Sequence, residues 1–176
     1  VNNAGIIKIS EFANIDIEDF DRILKVNLRT PFLLCQAVIP HMKENNWGRI
    51  VNISSIWGNI TKEYRASYSS SKFGLDGMTV ALASEVSGMG ILANSVGPGF
   101  IDTDGADEEK RENQGAIVPL GRMGEAAELA GSAVFLASSD SAYITGQRIV
   151  VDGGVLVQQR SANVDTYPPS KFPKLD

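Results

Sequence analysis

Arg49-Ile50-Val51-Asn52-Ile53-Ser54 and Ile91-Leu92-Ala93-Asn94-Ser95-Val96 are two short, largely apolar runs rich in β-branched residues. Gly48 precedes the first and Gly97-Pro98-Gly99 follows the second, so each reads as a short buried strand. Between them, Ala66 to Val86 reads as a helix, dense in Ser, Ala and Gly on one side. Small residues let another helix approach closely, which makes this helix a candidate subunit interface. Strand, helix, strand is the unit of a parallel sheet, because parallel strands need a crossover that a hairpin cannot supply.

Working outward, the alternation continues. Asp16 to Asn45 reads as one long helical stretch: Ile17, Phe20, Ile23, Leu24, Asn27 and Leu28 recur at three- and four-residue spacing, and Asp16 is placed to cap it. Pro31 lies inside that stretch and is expected to kink it. Asp102 to Gly115 is charged and glycine-flanked and reads as a mobile loop or loose helix. Glu125 to Ala137 reads as a helix, and Arg148 to Val151 as a strand closed by Asp152-Gly153-Gly154. From about Gln158 the periodicity is lost and three prolines appear, as in a flexible tail. The fold class is therefore α/β, with a parallel sheet and helices on its faces.

Composition narrows the function. The chain has 176 residues, 43% hydrophobic and 21% charged, as in a single soluble globular domain. Sixteen Lys+Arg against 21 Asp+Glu leave a net charge of −5 without a basic cluster, which argues against a nucleic-acid surface. Its longest apolar runs, such as Pro31 to Leu34, are too short to cross a bilayer. One cysteine, Cys35, and one histidine, His41, offer neither an internal disulfide nor a metal cluster. The composition points to a cytoplasmic location.

Chemistry starts with Tyr68 and Lys72, four apart on the expected helix and so on one face. A phenol titrates near 10, but a neighbouring ammonium can lower it by roughly 1–3 units and make it a usable acid/base. Spacing alone is weak, since a chance Tyr-x-x-x-Lys is expected about 0.2 times in such a chain. A second match, Tyr167 to Lys171, contains two prolines that forbid a shared helical face. Ser54 and Ser55 end the first strand, where parallel sheets place ligands, and a serine hydroxyl there can donate to a carbonyl as charge develops on it. It could equally be an ordinary strand-ending turn serine. Asn27 is an unusual mid-helix choice. Pro31 lacks the N–H that would bond its carbonyl, so Asn27 offers a free main-chain acceptor, a role compatible with a buried asparagine that satisfies a kink.

Together Asn2-Asn3-Ala4-Gly5, Asn27, Ser55, Tyr68-x-x-x-Lys72, Pro98-Gly99 and Ile144-Thr145-Gly146 with Asp152-Gly153-Gly154 resemble the short-chain dehydrogenase/reductase family, over residues 1 to about 155. The flavour is that of the 3-oxoacyl-carrier-protein reductases and related carbonyl or sugar-alcohol dehydrogenases. The resemblance implies a Rossmann-type doubly wound parallel sheet and a nicotinamide cofactor, NAD or NADP. It implies that Tyr68 transfers the proton, Lys72 lowers its pKa and holds the nicotinamide ribose, Ser55 orients the substrate carbonyl and Asn27 holds a relay water. Asn2, Ala4 and Gly5 would lie along the adenosine ribose, and Pro98, Gly99, Ile101 and Thr103 would border the nicotinamide. Asp102 to Gly115 would form a substrate lid, which is short for the family.

One part of the family pattern is missing. The only G-x-G-x-x-A, Gly88 to Ala93, follows a helix and precedes a strand, the reverse of the order that phosphate binding requires. It reads as a tight turn. The chain is thus expected to be truncated at the N-terminus, lacking strands 1–3 and their helices, on the order of 90 residues. Residues 1–157 would be the carboxyl-terminal part of the domain and 158–176 the tail. The first remaining strand would then be a poorly covered edge prone to pairing with another chain.

The expected activity interconverts a ketone and a secondary alcohol, most simply a 3-oxoacyl thioester. Alternatives are a sugar acid or polyol dehydrogenase, or a non-catalytic fragment that only associates with other subunits. The expected partners are a small-molecule carbonyl or alcohol and copies of the same chain in a dimer or tetramer, with no nucleic acid, membrane or metal. Cys35 reads as a core thiol, His41 as a helix-end partner, and Trp47 and Trp57 as core or pocket wall. Asn59-Ile60-Thr61 matches a glycosylation acceptor, discounted because nothing indicates secretion.

Overall fold

A computed structural model describes residues 1–103 and 107–158. They fall into two compact units, Val1–Pro98 with Ala127–Val151, and Gly99–Ala126 with the stretch from Asp152 onward. The expected tail beyond Gln158 and the second Tyr-x-x-x-Lys match lie outside the described residues.

In the first unit, Asp16 starts α1 (Ile17–Leu24) by accepting the Glu18 N–H at 2.8 Å. The helical path then passes through a π turn, Lys25–Arg29, into α2 (Thr30–Glu44). The expected disruption at Pro31 takes this form, one turn upstream of the proline. The Thr30 N–H reaches back to the Lys25 carbonyl, and the Thr30 hydroxyl bonds the same oxygen at 2.9 Å. The stretch stays helical because only one N–H is lost and the wider turn absorbs it.

Strand β1 (Gly48–Ile53), helix α3 (Ala66–Val86) and strand β2 (Ile91–Pro98) follow as read from the sequence, with one difference. β2 does not stop at Val96. Gly97 and Pro98 pair with Val150 and Val151 of β5 (Arg148–Val151), and that pairing extends the strand. The order is β1-β2-β5, all parallel, and Asn2 adds a single parallel bridge beside Asn52. Gly90 makes the turn before β2 with φ 74°, and a side chain there would collide with the Asn46 carbonyl oxygen. The Gly88–Ala93 match is thus a helix-to-strand turn.

Alternation along the strands builds a core on each face. Ile50, Ile91 and Ala93 pack with Cys35 of α2 and with Ala83 and Val86 of α3. Val51 and Val96 face the opposite way, against Leu136 of the later helix Ala126–Ala137. Buried polar side chains on the strands are paired: Asn52 Nδ2 donates to Thr79 Oγ1 at 2.8 Å, and Asn94 Nδ2 donates to the Ile144 carbonyl at 2.8 Å. The first unit is a Rossmann-type sheet covered on both faces.

In the second unit, β3 (Ile101–Asp102) pairs in parallel with β4 (Gly124–Glu125), so α5 is the helix Ala126–Ala137 that follows. Of the stretch read as a mobile loop or loose helix, Glu108–Gly115 is a helix, α4. Asp107 caps it by accepting the Lys110 N–H at 2.8 Å, and Arg111 Nε binds Asp102 Oδ2 at 2.7 Å. Asp152 closes the turn after β5 by accepting the N–H groups of Gly154 at 2.9 Å and Leu156 at 2.8 Å.

Candidate active site

The site gathers at the carboxyl end of β1, where α3 runs back over the sheet. Tyr68 and Lys72 are one turn apart on α3, and the Lys72 ammonium sits 5.6 Å from the centroid of the Tyr68 ring. Lys72 is buried, and its Nζ donates to the carbonyl of Ile53, the last residue of β1, at 2.8 Å. Two residues on, Ser55 begins a 3₁₀ turn by accepting the Trp57 N–H at 3.2 Å. Its hydroxyl keeps a proton to donate, and Ser55 acts on the Tyr68 phenol by drawing its value down.

Electrostatics differ from the sequence expectation at one point. Burial pushes the Tyr68 phenol above its ordinary value, and the Ser55 hydrogen bond and the charge of Arg65 only partly offset it. Desolvation of the phenolate outweighs the groups that lower it. Burial also pulls the Lys72 ammonium down to about 8, against an upward pull from Asp76. A phenol that holds its proton is the form suited to donate to a developing alkoxide.

Asn27 is fully buried in the π turn. Its Oδ1 accepts the Ile6 N–H at 2.8 Å, and its Nδ2 donates to the Ile6 carbonyl at 2.9 Å and to Ser71 Oγ at 3.0 Å. The side chain is therefore spent on clamping the segment after Gly5 to α3. That clamp brings Gly5 over the site: a Cβ there would lie 3.5 Å from both Lys72 Nζ and Asn27 Oδ1. Asn2 is fixed by the bridge to β1 and by Nδ2 donating to Asn52 Oδ1 at 2.7 Å, while Ala4 and Gly5 are exposed.

The first unit thus brings Gly5, Asn27, Ser55, Tyr68 and Lys72 together. Pro98 ends β2 in the same unit, whereas Gly99, Ile101 and Thr103 belong to the second. Sequence reading missed Asp76, although its signal was present: Tyr68, Lys72 and Asp76 form an i, i+4, i+8 stripe on α3.

A nicotinamide nucleotide suits this donor set at its ribose end. An ammonium has three N–H groups, and Ile53 takes one, so Lys72 has donors for neighbouring hydroxyls.

Residues 1–156 match the family model described as enoyl-(acyl carrier protein) reductase. The chain belongs to the short-chain dehydrogenase/reductase family. It is 43% identical over 160 residues to the 3-oxoacyl-[acyl-carrier-protein] reductase FabG of Rickettsia felis, covering 89% of this chain and 66% of that protein. The FabG of Thermotoga maritima is 41% identical over 160 residues, with 89% and 65% covered. Among solved structures, the gluconate 5-dehydrogenase of Burkholderia cenocepacia in complex with NADP and tartrate aligns with TM-score 0.85 and 31% identity, over 89% of this chain and 64% of that one. The acetoin dehydrogenase YohF of Salmonella typhimurium aligns with TM-score 0.82 and 31% identity, over 89% and 63%. The chain therefore spans slightly less than two thirds of the length of these relatives.

Proposed function

We propose that the protein carrying this chain is an NAD(P)-dependent oxidoreductase that interconverts a ketone and a secondary alcohol, with a 3-oxoacyl thioester as the substrate class. The observation that carries this reading is the convergence of Tyr68, Ser55 and Lys72 at the end of β1, with the Lys72 ammonium anchored on the Ile53 carbonyl and 5.6 Å from the centroid of the Tyr68 ring. The chemistry a bound nicotinamide nucleotide supplies there is a hydride. Ser55 donates to the substrate carbonyl oxygen and fixes its position, and Tyr68 delivers the proton as that oxygen becomes an alkoxide. Lys72, anchored by Ile53, holds the ribose and keeps positive charge beside the phenol as it loses its proton. Gly5 leaves the approach to Lys72 open, and Asn27 fixes the segment that carries Gly5. Asn27 contributes no side-chain donor to the proton path, so a relay water would use its main-chain carbonyl, which Pro31 cannot bond.

Asn2, Ala4 and Gly5 are assigned to the adenosine ribose side of the cofactor, and Pro98, Gly99, Ile101 and Thr103 to its nicotinamide side. A homo-oligomer fits the exposed Phe32 of α2 and Phe73 and Val80 of α3. No helix of the described residues is long and apolar enough to cross a membrane, and a cytoplasmic location is in keeping with the reading. A second reading, a sugar acid or polyol dehydrogenase, is favoured by the gluconate 5-dehydrogenase likeness. Turnover with an acetoacetyl thioester against gluconate separates them. The thioester is expected to give the higher kcat/KM; the reverse would favour the sugar acid.

A further inference from the structure

Asp76 lies one helical turn beyond Lys72 on α3 and gathers donors from β2, from β5 and from the residue that follows β1. Its Oδ2 accepts from Ser54 Oγ, just past the end of β1, at 2.8 Å and from Arg148 Nη1 of β5 at 2.9 Å. Its Oδ1 accepts from Ser95 Oγ of β2 at 2.7 Å. Both charged side chains are more than four-fifths buried, at 18% exposure for Asp76 and 19% for Arg148. Two glycines clear the space. A Cβ on Gly97 would come 3.3 Å from Arg148 Cδ, and one on Gly58 would meet Asp76 Oδ2 at 2.5 Å and Ser54 Oγ at 2.9 Å.

The geometry of this cluster has two consequences for the site above it. Ser54 stands between Ile53, whose carbonyl anchors Lys72, and Ser55, which acts on the Tyr68 phenol, so a carboxylate that holds Ser54 holds both. Asp76 is also the carboxylate that opposes the loss of charge at Lys72. Arg148 faces it from β5 and competes for it. Tyr68, on α3 itself, is the other titratable group beside the ammonium. The remaining neighbours described here, Gly5, Asn27, Ser54 and Ser95, do not ionise.

We propose that Asp76 is a positioning residue of the active site: one helical turn beyond Lys72, it fixes Ser54 at the end of β1 and presents to Lys72 a charge that it shares with Arg148. A merely structural network would tie the strands together without governing the protonation of Lys72. The inference uses the proposed reaction only for its kinetic consequence.

The test follows Lys72 directly in the protein that carries this chain. Its side-chain NMR resonance, assigned by its loss in Lys72→Arg, is titrated alongside the pH profile of kcat/KM. In Asp76→Asn, the titration of Lys72 is expected to move to lower pH by roughly one unit, because the stabilising charge is gone while the Arg148 cation remains. The alkaline limb of kcat/KM is expected to move with it. Arg148→Met is expected to move the Lys72 titration the other way, since Asp76 is then shared with no competing cation. Ser95→Ala, which removes a hydrogen bond and no charge, is expected to leave it in place. If Asp76→Asn does not fold, the upward movement in Arg148→Met decides. A Lys72 titration unmoved by these changes of charge, or moved as much by Ser95→Ala, overturns the inference. A titration that moves while the kinetic limb stays put supports the role of Asp76 and overturns the catalytic reading of Lys72.

Discussion

Burial of an ammonium makes Lys72 both a chemical asset and a thermodynamic cost. Its folded value, about 8, lies below the ordinary 10.5, so between those values the unfolded chain binds more protons than the folded one. Stability attributable to Lys72 therefore rises as the pH rises through that window, and below about 8 the full penalty of the buried charge is present. Tyr68 acts oppositely above pH 10, where the folded state keeps a proton the unfolded state has lost. Between pH 8 and 10 the protein is expected to gain unfolding free energy relative to Lys72→Met, measured by urea denaturation at each pH. Parallel pH dependence in the two would contradict the burial of the charge. The pairing of Tyr68 with Lys72 was legible from spacing on a helix. The direction of the phenol's displacement was not, because it depends on desolvation.

At the scale of elements, the π turn is the least expected feature and the one that places Asn27. A proline four residues on announces a missing hydrogen bond, but the sequence does not say which turn will widen to absorb the loss. Once Lys25–Arg29 is a π turn, Asn27 is buried against Ile6 and Ser71. Its amide then resembles a clamp more than a catalyst. Asn27→Ala is expected to destabilise the protein by roughly 1–3 kcal/mol in chemical denaturation, because the Ile6 N–H and carbonyl lose their partners. A loss within a few tenths of a kcal/mol would mean that the clamp is not needed. The extension of β2 through Pro98 escaped the sequence for a related reason. Gly-Pro-Gly is a local stop signal, and the β5 register that overrides it comes from 53 residues downstream, where Val150 and Val151 pair with Gly97 and Pro98. The Asp76 cluster was likewise hidden, since its partners arrive from β2, from β5 and from the residue that follows β1, and only its helical spacing is local.

For the molecule as a whole, the alternation of strands and helices was enough to read a parallel α/β sheet, and the two opposed cores confirm helices on both faces. The two-residue β3–β4 pairing in the second unit was not legible, because so short a strand carries no periodicity. Strands β1 and β2, pinned in register from Gly48↔Ile91 to Ile53↔Val96, set the end of the sheet at which Ser55, Tyr68 and Lys72 meet. The central claim is that this meeting point transfers a proton to a carbonyl oxygen. Tyr68→Phe removes the transferable proton and little else, so turnover of a 3-oxoacyl thioester by the protein carrying this chain, measured together with nicotinamide nucleotide binding, tests it most directly. The account predicts a loss of turnover of about 10²–10⁴-fold with binding largely retained. Near-normal turnover by Tyr68→Phe would contradict it.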